Sequence, residues 1–114
     1  MKNADQENPY RQEIEEYILS MPNARLEYPF DEKTAVYKAS NNKMFVLIAD
    51  GSDPLKISLK CDPNLAELLR DKYESIVPGY HLNKKHWITI LTTGQVSDDE
   101  IRDLIRHSFD LVNK

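Results

Sequence analysis

The residues that could do chemistry are concentrated in one ten-residue segment, Pro78 to Trp87, which reads PGYHLNKKHW. It holds two histidines, two adjacent lysines and the single tryptophan of the sequence. Such a segment suits three roles: a catalytic or metal site, a surface for a polyanion, or a turn that leads into a core strand. Its residue types alone do not select among these roles.

A metal site is the first hypothesis, because His81 and His86 are close in sequence. Ligands five residues apart lie about 140° apart around a helix and on opposite faces of a strand, so only an irregular loop brings them together. No acidic residue lies between them. The acidic positions Glu13, Glu16, Asp31 and Glu32 lack ligand spacing and indicate a solvated face. We therefore expect no metal and no cofactor.

A nucleophilic thiol is the second hypothesis. Cys61 precedes the second predicted helix, whose dipole favours a thiolate, and a histidine from elsewhere could act as its base. A half-buried residue at a strand end is the simpler interpretation. The three glycines, Gly51, Gly79 and Gly94, form no phosphate-binding loop. The sequence thus predicts a protein that is not an enzyme.

A polyanion surface has more support. Lys56, Lys60, Lys84 and Lys85 flank His86 and Trp87, which combines positive charge with a ring that nucleic-acid bases can stack on. The alternative stays open, because a single tryptophan usually belongs to a core and paired lysines are usually only solvated. The formal net charge is −4, yet residues 41–96 carry six acids and seven bases between two acidic ends. The centre is therefore basic relative to both ends.

The elements that position these residues follow from hydrophobic periodicity and turn residues. A first helix is predicted over NPYRQEIEEYILSM, with Asn8 as its N-cap. A second begins after Asp62 and buries Leu65, Leu68, Leu69 and Tyr73. A third begins at Ser97 and places Ile101, Leu104, Ile105, Ser108, Leu111 and Val112 inward. Strands are predicted over 35–40, 43–49, 55–60 and 87–93, with Asn41 and Asn42 as a two-residue hairpin turn.

This order predicts an α+β fold, α-β-β-β-α-β-α, with an antiparallel sheet of about four strands and the helices packed on one face. Residues 1–114 are expected to form a single domain. The other sheet face is then open to solvent. Alternation along the strands predicts that it carries Lys38, Lys56, Ser58, Lys60, Trp87, Thr89 and Leu91.

The compartment is predicted from what the sequence lacks. The longest apolar run, MFVLIA at 44–49, is far too short to span a membrane, and the N-terminal segment has no apolar signal-peptide core. The single cysteine agrees with a reducing compartment. We expect a soluble, cytoplasmic monomer without membrane contact.

Four segments, KMFVLI, ISLKCDPNLAELL, VPGYHLNKKHWITI and LIRHSFDLV, together resemble the MmcQ/YjbR family of small bacterial proteins over almost the whole chain. The pattern of Pro78, Leu82, Lys84, His86 and Trp87 looks like the signature of that family. The first helix departs from the family at its end, where Asn23 replaces the usual glycine.

The resemblance implies a CyaY-like (frataxin-like) fold and a DNA-binding role in which two hairpin wings contact the duplex. The wing candidates are the turn Asn41, Asn42 and Lys43 and the basic positions Lys56, Lys60, Lys84 and Lys85. The iron chemistry of frataxin does not carry over, because function resides in sites and not in folds. A protein interaction module that docks a partner through Trp87 and Leu91 is the alternative.

Overall fold

The computed structural model describes residues 8–114, which form three helices and six strands. In chain order they are α1 (Pro9–Leu19), β1 (Arg25–Glu27), β2 (Thr34–Lys38), β3 (Met44–Ala49), β4 (Lys56–Lys60), α2 (Pro63–Lys72), β5 (Ile76–Pro78), β6 (Trp87–Leu91) and α3 (Asp98–Val112). Side-chain oxygens of Asn8, Asp62 and Ser97 accept hydrogen bonds from the first turns of the three helices, as predicted. Within residues 8–114 no helix is long and apolar enough to cross a membrane.

The strands form one antiparallel sheet in the order β1-β2-β3-β4-β6-β5. The α+β class and the antiparallel sheet agree with the prediction, but the expected number of about four strands was wrong. The two additional strands, β1 and β5, have three residues each and lie at the two edges. Three residues are too few to show the alternation that identifies a strand in a sequence.

The helices cover one face of the sheet, as predicted. The main core lies between the helices and that face. Alternate residues of β4, Ile57 and Leu59, point into it, while Lys56, Ser58 and Lys60 point to the open face. The open face has a smaller apolar cluster of Val36, Leu47 and Trp87, against which Met44 and Leu82 pack.

A β-bulge in β3 brings the Phe45 side chain into contact with α3. Tyr37 pairs with Val46 but Lys38 pairs with Met44, so Phe45 is the extra residue. The Phe45 ring meets Phe109 of α3 edge to face, with centroids 5.1 Å apart. Phe109 is buried although the sequence pattern did not place it inward, whereas the predicted core residue Leu111 is only half-buried.

Of two turns that the sequence singled out, the β2–β3 turn differs from the expectation. The β2–β3 hairpin has a three-residue turn, Ser40 to Asn42, because the Asn42 N–H donates to Ala39 O and the Ala39 N–H donates to Lys43 O. Asn42 has a φ of 71°, the left-handed conformation that closes such turns. The turn after α1 places Asn23 at a φ of 60°, so asparagine adopts the conformation that glycine would supply.

The exposed side of α2 corrects another expectation. Ala66 and Leu69 are buried, whereas Leu68, predicted to be in the buried stripe, is 66% exposed. A helix of ten residues at the edge of the sheet buries a narrow stripe, and Leu68 lies outside it.

A polar network fixes α1 on the sheet. The buried Arg11 guanidinium contacts Glu15 Oε1 at 2.8 Å and Asp50 Oδ1 at 3.0 Å. The Tyr37 hydroxyl donates to Glu15 Oε1 at 2.6 Å, and the Tyr28 hydroxyl donates to Asp50 Oδ2 at 2.5 Å. The charges of this buried network are therefore paired and hydrogen-bonded, as burial requires.

Candidate functional site

The segment PGYHLNKKHW folds into two successive turns between β5 and β6. The first spans Gly79 to Leu82, whose N–H donates to Gly79 O at 3.3 Å, and His81 within it has a φ of 59°. The second spans Asn83 to His86, whose N–H donates to Asn83 O at 3.2 Å. The segment is thus a turn that leads into a core strand, with several side chains left in solvent.

Trp87 lies on the open face, as predicted, but it is only 8% exposed. Its ring belongs to the small apolar cluster with Val36 and Leu47, and the first turn of the segment lays Leu82 against that cluster. The ring is therefore not free to stack on a nucleic-acid base. It also cannot anchor a protein partner in the way the alternative hypothesis requires.

The structure brings four of the predicted lysines to one end of the sheet. β3 begins, β4 ends and β6 begins at this end, because the three strands are antiparallel neighbours. Lys43 precedes β3, Lys60 ends β4, and Lys84 and Lys85 occupy the turn before β6. Lys43, Lys84 and Lys85 are exposed and Lys60 is half-buried. We call these four residues the lysine end.

Lys56 lies apart from the lysine end. It begins β4 and pairs with Ala49 and Leu91, so it is four residues from Lys60 along the strand. At about 3.3 Å per residue this is a separation of about 13 Å. The structure therefore does not unite Lys56 with the other basic candidates, and its ammonium lies over the Tyr80 ring, 5.7 Å from the centroid.

The histidines and the cysteine do not assemble a reactive site in residues 8–114. His81 is exposed against the Tyr80 ring, whereas the His86 carbonyl accepts a hydrogen bond from the Cys61 N–H at 2.8 Å. Within residues 8–114, no three His, Cys, Asp or Glu side chains are grouped so that they could hold a metal ion. Burial, and then the neighbouring Asp62 carboxylate, raise the pKa of Cys61 to about 11, so the thiol is protonated at neutral pH.

A groove of about 460 Å³ lies on the open face, on the side of Trp87 away from the lysine end. Phe30 and Asp31 line one side of it, and Tyr80, His81 and Leu82 line the other. The sheet contributes the remaining lining residues, Thr34, Leu47, Ala49, Lys56, Ser58 and Thr89.

Hydrogen bonds fix the Tyr80 side of the groove. Thr89 Oγ1 accepts a hydrogen bond from the Tyr80 N–H at 3.1 Å and lies 2.8 Å from Ser58 Oγ. The aromatic side chains themselves are in solvent, with Phe30 64% and Tyr80 65% exposed. A concave, mainly apolar lining with a few polar groups is the usual form of a small-ligand site.

Sequence reasoning missed this groove. Lys56, Ser58 and Thr89 were placed on the open face, but Phe30 and Tyr80 lie in loops without periodicity. Nothing in the sequence indicates that those two loops approach the same part of the sheet.

Comparison with known proteins gives consistent matches. The YjbR family model matches residues 19–111. The uncharacterized protein YbdF of Escherichia coli O157:H7 is 39% identical over 94 residues, which are 82% of this chain and 76% of YbdF. The uncharacterized protein YjbR of Escherichia coli K12 is 32% identical over 97 residues, or 85% of this chain and 81% of YjbR.

The fold also matches a solved structure. The crystal structure of Deinococcus radiodurans protein DR2400 superposes with a TM-score of 0.87 at 39% identity, covering 90% of this chain and 78% of that protein. The agreement supports the α+β arrangement of helices on an antiparallel sheet.

Proposed function

The chain belongs to the YjbR family, and from this premise and the exposed lysine end we propose that it is a non-enzymatic protein that binds duplex DNA as a monomer. The binding surface is the lysine end: Lys43, Lys60, Lys84 and Lys85, with His86 beside them. Lys56 and Trp87 are not part of this surface. The frataxin-like relationship of the fold remains a prediction from the family resemblance.

The observation that carries the proposal is that the four lysines have no carboxylate partner among the residues that the structure describes. Within residues 8–114, none of them forms an ion pair with another residue. Unpaired ammonium groups on neighbouring turns are available for phosphates, and their binding releases counterions from the DNA.

The two turns present their lysines in defined positions, like two short wings. In one turn the Lys43 N–H donates to Asn41 Oδ1 at 3.1 Å, and Asn41 Nδ2 donates to Val112 O at 2.7 Å. In the other, the Lys85 N–H donates to Asn83 Oδ1 at 2.9 Å. These asparagines limit the movement of the backbone that carries the lysines.

The dimensions suit a DNA strand. β3 and β6 are separated by β4, so the two turns lie about 10 Å apart. One strand of B-DNA carries a phosphate about every 3.4 Å of axial rise and winds around the axis, so a surface about 10 Å across can meet more than one phosphate. The surface can therefore contact neighbouring phosphates of one strand at the same time.

The net charge of −4 does not by itself oppose this surface, because several acidic residues lie at the other end of the sheet, although Asp62 follows Lys60 closely. Asp98, Asp99 and Glu100 form the first turn of α3, which follows the end of β6, whereas the lysine end includes the start of β6. Opposite charges are thus separated along the strand direction. The local field near the lysines governs the approach of DNA more than the net charge does.

A fluorescence anisotropy titration tests the proposal with a labelled 20-base-pair duplex and its single strand at low salt. We expect saturable binding of the duplex and weaker binding of the single strand, because the buried Trp87 offers no ring for stacking. Replacing Lys84 and Lys85 together by glutamine should weaken duplex binding by at least tenfold. Unchanged affinity of that variant would refute the proposed surface.

A further inference from the structure

The groove on the open face has an unused cation. Lys56 is exposed, and within residues 8–114 it forms no ion pair. Its ammonium instead lies over the face of Tyr80. An anionic group in the groove would therefore meet a positive charge that no carboxylate of residues 8–114 pairs with.

Among the described residues, the groove also has one acidic residue, which lies on the opposite side. Asp31 accepts hydrogen bonds from the Lys33 N–H at 2.8 Å and from the Thr34 N–H at 2.7 Å, and its second oxygen accepts from the Thr34 hydroxyl at 3.3 Å. These bonds use the carboxylate to hold the loop before β2 and lower its pKa. The groove is thus polarised, and an anion is favoured at the Lys56 side and disfavoured near Asp31.

The remaining lining suits a flat apolar body. Phe30 and Tyr80 present exposed rings on opposite sides, and the aliphatic Leu47 and Ala49 lie between them on the sheet. Aromatic rings bind other rings by stacking or edge contacts and lose exposed apolar area in doing so. A volume of about 460 Å³ lies within the range of small-molecule sites, about 300 to 1,000 Å³.

We propose that this groove binds a small aromatic carboxylate, with its ring between Phe30 and Tyr80 and its carboxylate on the Lys56 ammonium. The backbone on the Tyr80 side is held before binding, because Thr89 Oγ1 already accepts a hydrogen bond from the Tyr80 N–H. A ligand therefore does not bear the cost of ordering the backbone of that wall. The site is separate from the lysine end and does not depend on DNA binding.

A ¹H–¹⁵N NMR titration with 2-naphthoate tests this site, with 2-naphthalenemethanol as the neutral probe of the same shape. We expect saturable shifts of the amides of Lys56, Tyr80, His81 and Thr89. Naphthoate should bind about fivefold more tightly than the alcohol, as expected for one exposed charge pair, and added salt should reduce the difference.

Three variants locate the interaction. Lys56→Met should abolish the preference for naphthoate over the alcohol, whereas Lys60→Met, which changes the other outer lysine of β4, should preserve it. Tyr80→Ala should weaken both probes, since it removes one ring. Lack of saturation, shifts that map away from the groove, or equal effects of the two methionine variants would overturn the proposal. The DNA titration does not depend on any of these results.

Discussion

The backbone of Gly79 lies directly against the side chain of Trp87. The Gly79 N–H donates to Trp87 O at 3.0 Å, and a Cβ added to Gly79 would lie 2.6 Å from Trp87 Cβ. Glycine at this position therefore allows the first turn of PGYHLNKKHW to lie against Trp87. The glycine, the tryptophan and Leu82 together determine how the segment crosses the open face.

Replacing Gly79 by alanine should destabilise the protein by about 1 to 3 kcal/mol, because the new methyl group has no space against Trp87. The measurements are chemical denaturation and the emission spectrum of Trp87, which should shift as the turn moves. Gly94→Ala is the control: its Cβ would meet no atom within 4 Å, but its φ of +94° strains alanine. Gly94→Ala should lower the stability and leave the Trp87 emission unchanged. Native stability and native emission for Gly79→Ala would contradict the close contact between Gly79 and Trp87.

The Ser108 hydroxyl is a second position where a small change should have a large effect. Ser108 Oγ donates to Phe45 O at 2.6 Å and accepts from the Lys60 N–H at 3.0 Å, so it joins α3 to β3 and β4. Ser108→Ala leaves both backbone groups unpaired and should cost about 1 to 3 kcal/mol of unfolding free energy. Ser40→Ala, at an exposed turn position, should change it by less than about 0.5 kcal/mol. Equal effects of the two would refute the bridging role.

The Arg11 network should be sensitive to loss of its charge. Arg11→Met leaves the buried Asp50 carboxylate without its cation and should lower the free energy of unfolding by about 3 kcal/mol. Urea denaturation measures the loss. Arg102→Met removes an arginine from a partly exposed pair with Asp98 and should cost less than about 1 kcal/mol. A loss for Arg11→Met no greater than that of the control would contradict the structural role.

The same network predicts a pH dependence. Burial raises the pKa of Glu15, but the hydrogen bonds from Tyr37 and Arg11 outweigh it and leave the pKa below its ordinary value. The ionised carboxylate therefore contributes stability that is complete above the unfolded pKa of about 4.3 and is lost as the pH falls through the lower folded pKa. Tyr37→Phe should reduce this acid-dependent loss in denaturation curves collected from pH 6 to 3.

Glu16→Gln is the matched control for the pH series, since Glu16 is an exposed acid of the same helix. It should leave the acid-dependent loss unchanged. An identical pH profile for the native protein and Tyr37→Phe would show that the Tyr37 hydrogen bond does not stabilise the carboxylate.

The Cys61 thiol should react slowly while the protein is folded. It is only 2% exposed, and its pKa is raised to about 11 by burial and by Asp62. With a disulfide reagent at pH 8, we expect a slow reaction in buffer and a fast one in denaturant, because the thiolate is the reactive form. Reaction of the native protein at the rate of an unfolded thiol would contradict the buried position.

Much of the fold was predictable because its longer elements repeat a period. All three helices and four of the strands lie near their predicted positions, and the family resemblance was confirmed by the match to residues 19–111. The edge strands β1 and β5 were not predictable, because they are three-residue segments with no pattern of their own and are stabilised by pairing with longer neighbours.

The candidate surface was less predictable than the fold. Alternation placed Trp87 on the correct face. It could not show that Leu82 packs against the apolar cluster that contains Trp87. The burial of Arg11 depends on Glu15 four residues later and on Asp50 from a distant loop, and only the first of these partners is visible as a spacing. The groove likewise depends on two loops that are remote in sequence.

The salt dependence of duplex binding tests the central claim most directly. Each lysine–phosphate contact contributes about 0.9 to the slope of the logarithm of affinity against the logarithm of salt concentration. The double variant Lys84→Gln, Lys85→Gln should therefore reduce the slope by about two, whereas Lys33→Gln, Lys72→Gln, with the same charge change away from the lysine end, should leave it unchanged. Equal slopes for the two double variants, or no salt dependence in the native protein, would contradict binding at the lysine end.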